Sequence, residues 1–96
     1  MALHIHRPAA ETAERVREAL SAAIPGAEIA VSGMGGHFEI RVVSVAFAGA
    51  NRLARQRLVL GAIAHLMKGD DAPVHAVDRI ETLTPGESGP APPPAG

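Results

Sequence analysis

The stretch that decides the fold runs from Ala27 to Val45 and reads AEIAVSGMGGHFEIRVVSV. Apolar and polar residues alternate on both sides of its glycine-rich centre, and this period of two is typical of strands with one buried face. We expect strands over residues 27–32 and 37–45, joined by a turn at residues 33–36. The stretch therefore predicts a β-hairpin, whose inward-facing residues are Ile29 and Val31 in the first strand and Phe38, Ile40 and Val42 in the second.

Helical patterns lie on either side of this hairpin. From Pro8 to Ile24, apolar residues recur at three- and four-residue spacing, which predicts an amphipathic helix ended by Pro25-Gly26. Residues 51–67 also favour a helix, but their apolar arc is too wide for one buried stripe. We therefore expect a break near Arg57-Leu58, with a short basic helix before it and a largely buried helix after it.

A third strand is predicted from Val74 to Leu83, with Val77, Ile80 and Thr82 facing inward. These residues share one face only if the strand accommodates an extra residue near Asp78-Arg79, which predicts a β-bulge. The element order is then helix, strand, strand, helix, helix, strand (αββααβ). This order predicts an α+β domain, a three-stranded sheet with helices on one face.

Length and composition bound the domain and its chemistry. A chain of 96 residues makes at most one domain. Residues 85–96 hold five of the eight prolines and cannot bury enough apolar surface to offset their ordering entropy, so we expect a domain at residues 4–84 and a disordered tail at 85–96. The chain has no Cys, so disulfides and thiolate ligands are excluded, and any metal-binding side chain must be His, Asp or Glu.

The start of the chain and its charge distribution suggest a location and a surface. The first residues lack the apolar run of a signal peptide, and no stretch approaches the roughly 20 apolar residues that span a bilayer, so we expect a soluble, cytoplasmic protein without a membrane partner. The net charge is −1, yet residues 51–68 contain no acidic residue. A local basic face is therefore expected there, formed by Arg52, Arg55, Arg57 and Lys68.

Several short motifs, in this order along the chain, resemble the BolA family. The resemblance implies a fold similar to that of a type II K-homology domain, in agreement with the element order above. One departure is that the last strand is one residue longer between His75 and Thr84 than the usual family pattern. The matching stretches are GHFEIRVVS (36–44), AFAG (46–49), RLARQRLV (52–59), GA (61–62), VHAV (74–77) and LTP (83–85).

The resemblance also implies a partner and a cofactor. BolA-like proteins bind monothiol glutaredoxins in heterodimers bridged by a [2Fe-2S] cluster. His75 matches the His of the family's Val/Ile-His-Ala signature, and His37 matches the His or Cys position before the second strand. Neutral imidazole can replace Cys on one iron of such a cluster. The thiolates would come from the glutaredoxin and its glutathione, so the isolated chain is not expected to hold the cluster.

Other functions remain open on the residues alone. His37 and His75 could be an exposed residue and a hydrogen-bonding strand residue without any ligand role. Family members are also proposed transcriptional regulators, and Arg52, Arg55 and Arg57 on a helix-turn-helix-like pair could contact DNA phosphates. Against strong nucleic-acid binding are the net charge and the absence of Trp and Tyr. An enzyme is not expected, because the sequence shows no Cys nucleophile and no recognisable Ser-His-acid constellation.

Overall fold

Residues 8–89 are described by a computed structural model of the chain. Helix α1 spans Pro8–Ala23. Its apolar spacing places Val16 and Leu20 on the face that packs into the core, where both side chains are fully buried. The helix stops before Pro25, which has no N–H to donate, and Gly26, whose φ is +81°. The predicted first helix and its stop signal are confirmed.

The hairpin consists of β1 (Glu28–Met34) and β2 (His37–Val43), which pair antiparallel. Both residues of the turn between them, Gly35 and Gly36, have positive φ, at 62° and 83°. A two-residue turn of this kind is type I′, whose twist matches that of the flanking strands. The predicted hairpin is confirmed, with Phe38, Ile40 and Val42 buried and Ile29 and Val31 packed against the same core.

The third strand, β3 (Ala76–Leu83), pairs parallel to β2, so the sheet is mixed and its order is β1-β2-β3. The register between β2 and β3 shifts once. Val77 lies opposite Phe38, whereas Arg79 lies opposite Glu39, so Asp78 is the extra residue of a β-bulge. The predicted bulge is confirmed, and it allows Val77 and Ile80 to pack against the same core.

Helix α2 spans Arg52–Ile63 without interruption, so the predicted break near Arg57-Leu58 is wrong. Its N-terminus is capped by Asn51, whose Oδ1 accepts a hydrogen bond from the Ala54 N–H at 2.8 Å. The wide apolar arc is accommodated in another way, because Leu53 and Leu58 remain 55% and 43% exposed. The backbone departs from α geometry only after Ile63, where a single 3-10 turn, Ala64–Leu66, follows.

One core lies between the sheet and the helices, and the other face of the sheet is polar. On that face Arg41 Nε donates to Glu81 Oε1 at 3.2 Å. The α+β class and the single helix-covered face are therefore as predicted. No helix within residues 8–89 has the length and apolar composition needed to cross a bilayer. The buried apolar residues that form the core are Val16, Leu20, Ile24, Phe38, Ile40, Val42, Phe47, Val59, Ile63, Leu66 and Val74.

A short helix, α3 (Pro85–Ser88), follows β3 directly. Thr84 accepts a hydrogen bond from the Glu87 N–H, and the Glu87 carboxylate accepts one from the Thr84 N–H, which makes a complete capping box. The prediction of disorder from residue 85 onward is wrong for this segment, because a capping box needs only four residues and no apolar core. The proposed domain start at residue 4 and residues 90–96 of the proposed tail lie outside the described residues.

Candidate functional site

The two predicted ligands, His75 and His37, lie at the same edge of the sheet. Strands β2 and β3 are parallel, so they begin at the same edge, and His37, the first residue of β2, pairs with Ala76. The Gly36 carbonyl accepts hydrogen bonds from the N–H groups of both His75 and Ala76, at 2.8 and 3.1 Å. Both histidines are exposed. The fold therefore brings two histidines that are 38 positions apart in the sequence to neighbouring backbone positions at one edge of the sheet.

The His75 ring packs against Gly36. A Cβ atom built on Gly36 would lie 2.5 Å from His75 Nδ1 and 2.7 Å from its Cγ, closer than real Cβ contacts allow. Only glycine leaves room for the ring here. Gly36 thus has three roles, because it also takes the positive φ of the turn and supplies the carbonyl that anchors His75. Sequence reasoning assigned it to the turn alone.

His37 is oriented by a hydrogen bond with the bulge residue. The distance between His37 Nδ1 and Asp78 Oδ1 is 3.2 Å, and the two side chains are 59% and 54% exposed. Sequence reasoning identified the bulge but did not identify Asp78 as a site residue. The bulge itself was the signal, since an unpaired residue beside the ligand pair has a side chain free to contact it.

A cleft of about 560 Å³ opens beside His75. It makes the ring accessible to a large partner, because it lies between the hairpin turn and the loop before β3. Two carboxylates stand on its rim, so this side of the site is anionic. The residues that line it with His75 include Thr12, Gly35, Phe38, Asp70 and Asp71.

The structure also limits what this chain can bind alone. Within residues 8–89, no group of three or more His, Cys, Asp or Glu side chains is arranged to hold a metal ion. His75 and His37 could therefore contribute only part of a ligand set, with the remaining ligands coming from another molecule. Two neutral imidazoles are a suitable donor pair for one iron of a cluster whose other iron has thiolate ligands.

The predicted basic surface is smaller than expected. Arg52, Arg57 and Lys68 are exposed. Arg55 is not, because its side chain is only 13% exposed and is turned towards the end of β3. This placement corrects the expectation that Arg55 belongs to a surface for DNA or a partner. With one helix instead of two, the helix-turn-helix-like pair is also absent from α2.

Arg55 instead joins α2 to the end of β3 and to α3. Its Nε donates to the Ala50 carbonyl at 2.8 Å, and its Nη1 donates to the Thr82 carbonyl at 3.1 Å. The guanidinium also forms a two-point ion pair with Glu87, with a shortest N–O distance of 2.7 Å, and lies 5.8 Å from the centre of the Phe47 ring. The hydrogen bonds from Arg55 and the Thr84 N–H lower the pKa of Glu87 from 4.5 to about 2.

A groove of about 650 Å³ runs along the chain's surface between α2 and β3. Arg52 and Gln56 lie on its helix side, and Asp78 and Arg79 lie on its strand side. Asp78, on the strand side of this groove, also contacts His37. The groove thus connects Arg52, one of the exposed basic residues, with the residue that contacts His37, whereas His75 lines the cleft beside the hairpin turn.

Comparisons with known proteins agree with this architecture. The family model for "BolA-like protein" matches residues 9–87. An uncharacterised protein of the rpoN-murA intergenic region of Acinetobacter guillouiae is 39% identical over 75 residues, which cover 77% of this chain and 86% of that protein.

Solved structures show the same similarity. BolA1 from Arabidopsis thaliana is 28% identical with a TM-score of 0.69, covering 88% of this chain and 100% of its own. The BolA domain of SufE1 from Arabidopsis thaliana is 26% identical with a TM-score of 0.68, and the match covers 90% of this chain and 99% of that domain. Yeast Fra2 is 30% identical with a TM-score of 0.62, and the match covers 88% of this chain and 89% of Fra2. The chain therefore belongs to the BolA-like protein family.

Proposed function

We propose that this protein is a non-enzymatic adaptor that binds a monothiol glutaredoxin and shares a [2Fe-2S] cluster with it, in iron-sulfur cluster assembly or trafficking or in iron regulation. His75 and His37 are this chain's ligands. The observation that carries the proposal is the Gly36 carbonyl, which holds the starts of β2 and β3 together and so places two exposed imidazoles at one edge. The BolA family supplies the expectation of the partner.

The residues at this edge fit such a shared cluster. His75 is held by packing, and the ring atoms nearest to Gly36 are Nδ1, Cγ and Cε1, so Nε2 is on the other side of the ring. His37 has Nδ1 engaged with Asp78, which likewise leaves Nε2 for a ligand. The cluster, when bound, supplies iron and sulfide that can be transferred or sensed. This chain contributes two oriented nitrogen donors, and the glutaredoxin and glutathione contribute the thiolates.

The partner surface extends from the ligand pair into the groove between α2 and β3. Arg52 and Arg79 place two cations along this groove, while Leu60 and Met67 give it an apolar floor. Asp78 and Glu81 also line the groove, and such a surface of cations, anions and apolar side chains suits a folded protein partner better than it suits an oligonucleotide, which needs several aligned cations. We propose no second function, because Arg55 is engaged within the fold and α2 is a single helix.

The proposal is tested with a cluster-loaded monothiol glutaredoxin. We expect a one-to-one heterodimer by size-exclusion mass and a visible circular dichroism spectrum that differs from that of the glutaredoxin alone. The variants His75→Ala and His37→Ala should each remove the histidine-dependent part of the spectrum. His65→Ala is the matched control, because His65 is an exposed histidine outside the edge that holds the pair. A His75→Ala complex with unchanged spectrum and cluster lifetime would show that the ligand assignment is wrong.

A further inference from the structure

We infer that Asp78 is a positioning residue, which holds the His37 imidazole in the Nδ1–H tautomer and so makes Nε2 its ligating atom. The inference rests on the proposed function for its consequence, the ligation of a metal by His37. Its physical content, the tautomer of His37, can be measured on the isolated protein. Two observations carry it: the hydrogen bond between the two side chains, and the position of Asp78 as the extra residue of the bulge, which has no partner in β2.

Asp78 lies on the face of the sheet that carries His37, because it follows Val77, which pairs with the inward-facing Phe38, and the bulge leaves Asp78 without a partner in β2. In a regular strand, neighbouring residues point to opposite faces. Here Val77 packs against the core, while Asp78 and Arg79 are both exposed, because Asp78 is inserted between the paired positions Phe38–Val77 and Glu39–Arg79. The additional residue that distinguishes this last strand from the usual family pattern is thus accommodated where its side chain reaches His37.

The hydrogen bond decides which ring nitrogen carries the proton. An ionised carboxylate can only accept hydrogen bonds, so at an Nδ1–Oδ1 distance of 3.2 Å the proton is on His37 Nδ1. The lone pair of the neutral ring is then on Nε2. Carboxylates that accept from the second nitrogen of a ligating histidine fix both its tautomer and its ring orientation in metal sites. In the same way, the Asp78 carboxylate accepts a hydrogen bond from Nδ1 of His37.

This contact is too exposed to be explained by its contribution to folding. Both side chains are more than half exposed, and ion pairs or hydrogen bonds in such positions contribute about 0–1 kcal/mol. The selection of a tautomer needs only a small energy difference, so it remains effective at an exposed site. The two ligands are therefore oriented by different means, His75 by packing against Gly36 and His37 by the Asp78 carboxylate.

The tautomer is measured by long-range ¹H–¹⁵N correlation spectra of the isolated, ¹⁵N-labelled protein at alkaline pH, where imidazoles are neutral. We expect the Nδ1–H form to predominate for His37 in the wild type and the Nε2–H form, which free imidazole side chains favour in water, to predominate in Asp78→Ala. Asp78→Asn keeps a hydrogen-bond acceptor but removes its charge, so its fraction of the Nδ1–H form should lie between those of the wild type and Asp78→Ala. Glu39→Ala is the matched control, because it removes another exposed carboxylate of the same sheet face. A wild-type His37 in the Nε2–H form, or a tautomer unchanged in Asp78→Ala, would overturn the inference.

The same variants are then mixed with cluster-loaded glutaredoxin. We expect the cluster complex of Asp78→Ala to dissociate or lose its cluster about tenfold faster than the wild type, as is usual when a partner of a metal ligand is removed. Glu39→Ala should match the wild type. If the wild type forms no cluster complex, the proposed function fails, and the tautomer spectra still decide the role of Asp78. If the wild-type complex forms and that of Asp78→Ala is equally long-lived, the proposed function stands and the inference fails.

Discussion

Gly36 lies where the hairpin turn, the start of β3 and the His75 ring meet. Its φ of 83° is in the left-handed region, and the space that a Cβ would occupy is taken by the imidazole. Gly35 also has a positive φ, but nothing lies within 4 Å of the position that its Cβ would occupy. The two neighbouring glycines therefore allow backbone conformation and ring packing to be separated by experiment.

We predict that Gly36→Ala is more damaging than Gly35→Ala. Each substitution puts a side chain in the left-handed region, at a cost of about 1–2 kcal/mol. Gly36→Ala must also displace the His75 ring, and because that side chain is exposed and can move, we expect an additional loss below about 1 kcal/mol. Urea unfolding gives the two free energies, and NMR shows whether the His75 ring resonances move. Equal losses of stability and an undisturbed His75 in both variants would contradict the packing described for Gly36.

Helix α2 shows how an element resolves an excess of apolar residues. Its apolar positions extend too far around the helix for all of them to be buried, and a break in the helix is one solution. The structure adopts the other solution, in which the helix stays continuous while Leu53 and Leu58 remain exposed and Val59 and Ile63 enter the core. These exposed leucines are next to the exposed arginines Arg52 and Arg57 in the sequence.

Two truncations in α2 distinguish these solutions. Ile63→Ala removes a fully buried side chain and should lower the free energy of unfolding by about 2–5 kcal/mol. Leu58→Ala removes a side chain that is 43% exposed, and we expect a loss below about 1 kcal/mol. Chemical denaturation of both variants provides the comparison. A broken helix would bury Leu58 as well, and the two losses would then be similar.

The attachment of α3 depends on pH through Glu87. The hydrogen bond from Arg55, with that from the Thr84 N–H, lowers the pKa of Glu87 from 4.5 to about 2 in the folded protein. A lowered folded pKa means that this group stabilises the fold above about pH 4.5 and that the stabilisation is lost as the pH falls from 4.5 towards 2. We predict that the difference in unfolding free energy between the wild type and Glu87→Gln shrinks over this range. NMR titration of the Glu87 carboxyl checks the cause, and a midpoint near 4.5 would contradict it.

On the scale of the whole molecule, the ordered chain continues past the last strand. Arg55 connects α2 with the Thr82 carbonyl and with Glu87. Helix α3 is therefore attached at the edge of the sheet where β3 ends, which is opposite the edge that carries the histidines. The parallel pairing of β2 and β3 explains this arrangement: both strands begin at the edge that carries the two histidines and end near α3. The two histidines and the attachment of α3 therefore lie at opposite ends of the same two strands.

We predict that a chain ending at residue 84 is less stable than one ending at residue 89. The shorter chain lacks Glu87, so the guanidinium of Arg55 keeps its two carbonyl acceptors but loses its only carboxylate partner within residues 8–89. Thermal and urea unfolding of the two chains at neutral pH gives the difference. At pH 2, close to the lowered pKa of Glu87, the difference in stability between the two chains should be smaller. Identical unfolding midpoints at neutral pH would show that α3 adds nothing to the domain.

Local patterns were enough to predict much of the fold. The period of two over Phe38, Ile40 and Val42 identified a strand. The bulge was identified because Val77 and Ile80, three positions apart, can face the same way only if the strand has an extra residue near Asp78. The pairing of His75 with His37 came from the resemblance to BolA proteins, since nothing in their spacing requires it. The capping box of α3 was missed because the proline content of residues 85–96 was weighed over the whole segment, although Thr84 and Glu87 have the spacing of that motif.

The sequence by itself determined the first helix, the three strands and their inward faces, because these follow from periodicity and turn residues that act over a few positions. Only the tertiary structure decided which side chains meet. The ion pair of Arg55 with Glu87, the packing of His75 on Gly36 and the contact of Asp78 with His37 all depend on distances between segments far apart in the chain. Such contacts are selected when strands and helices pack in three dimensions, and periodicity carries no information about them.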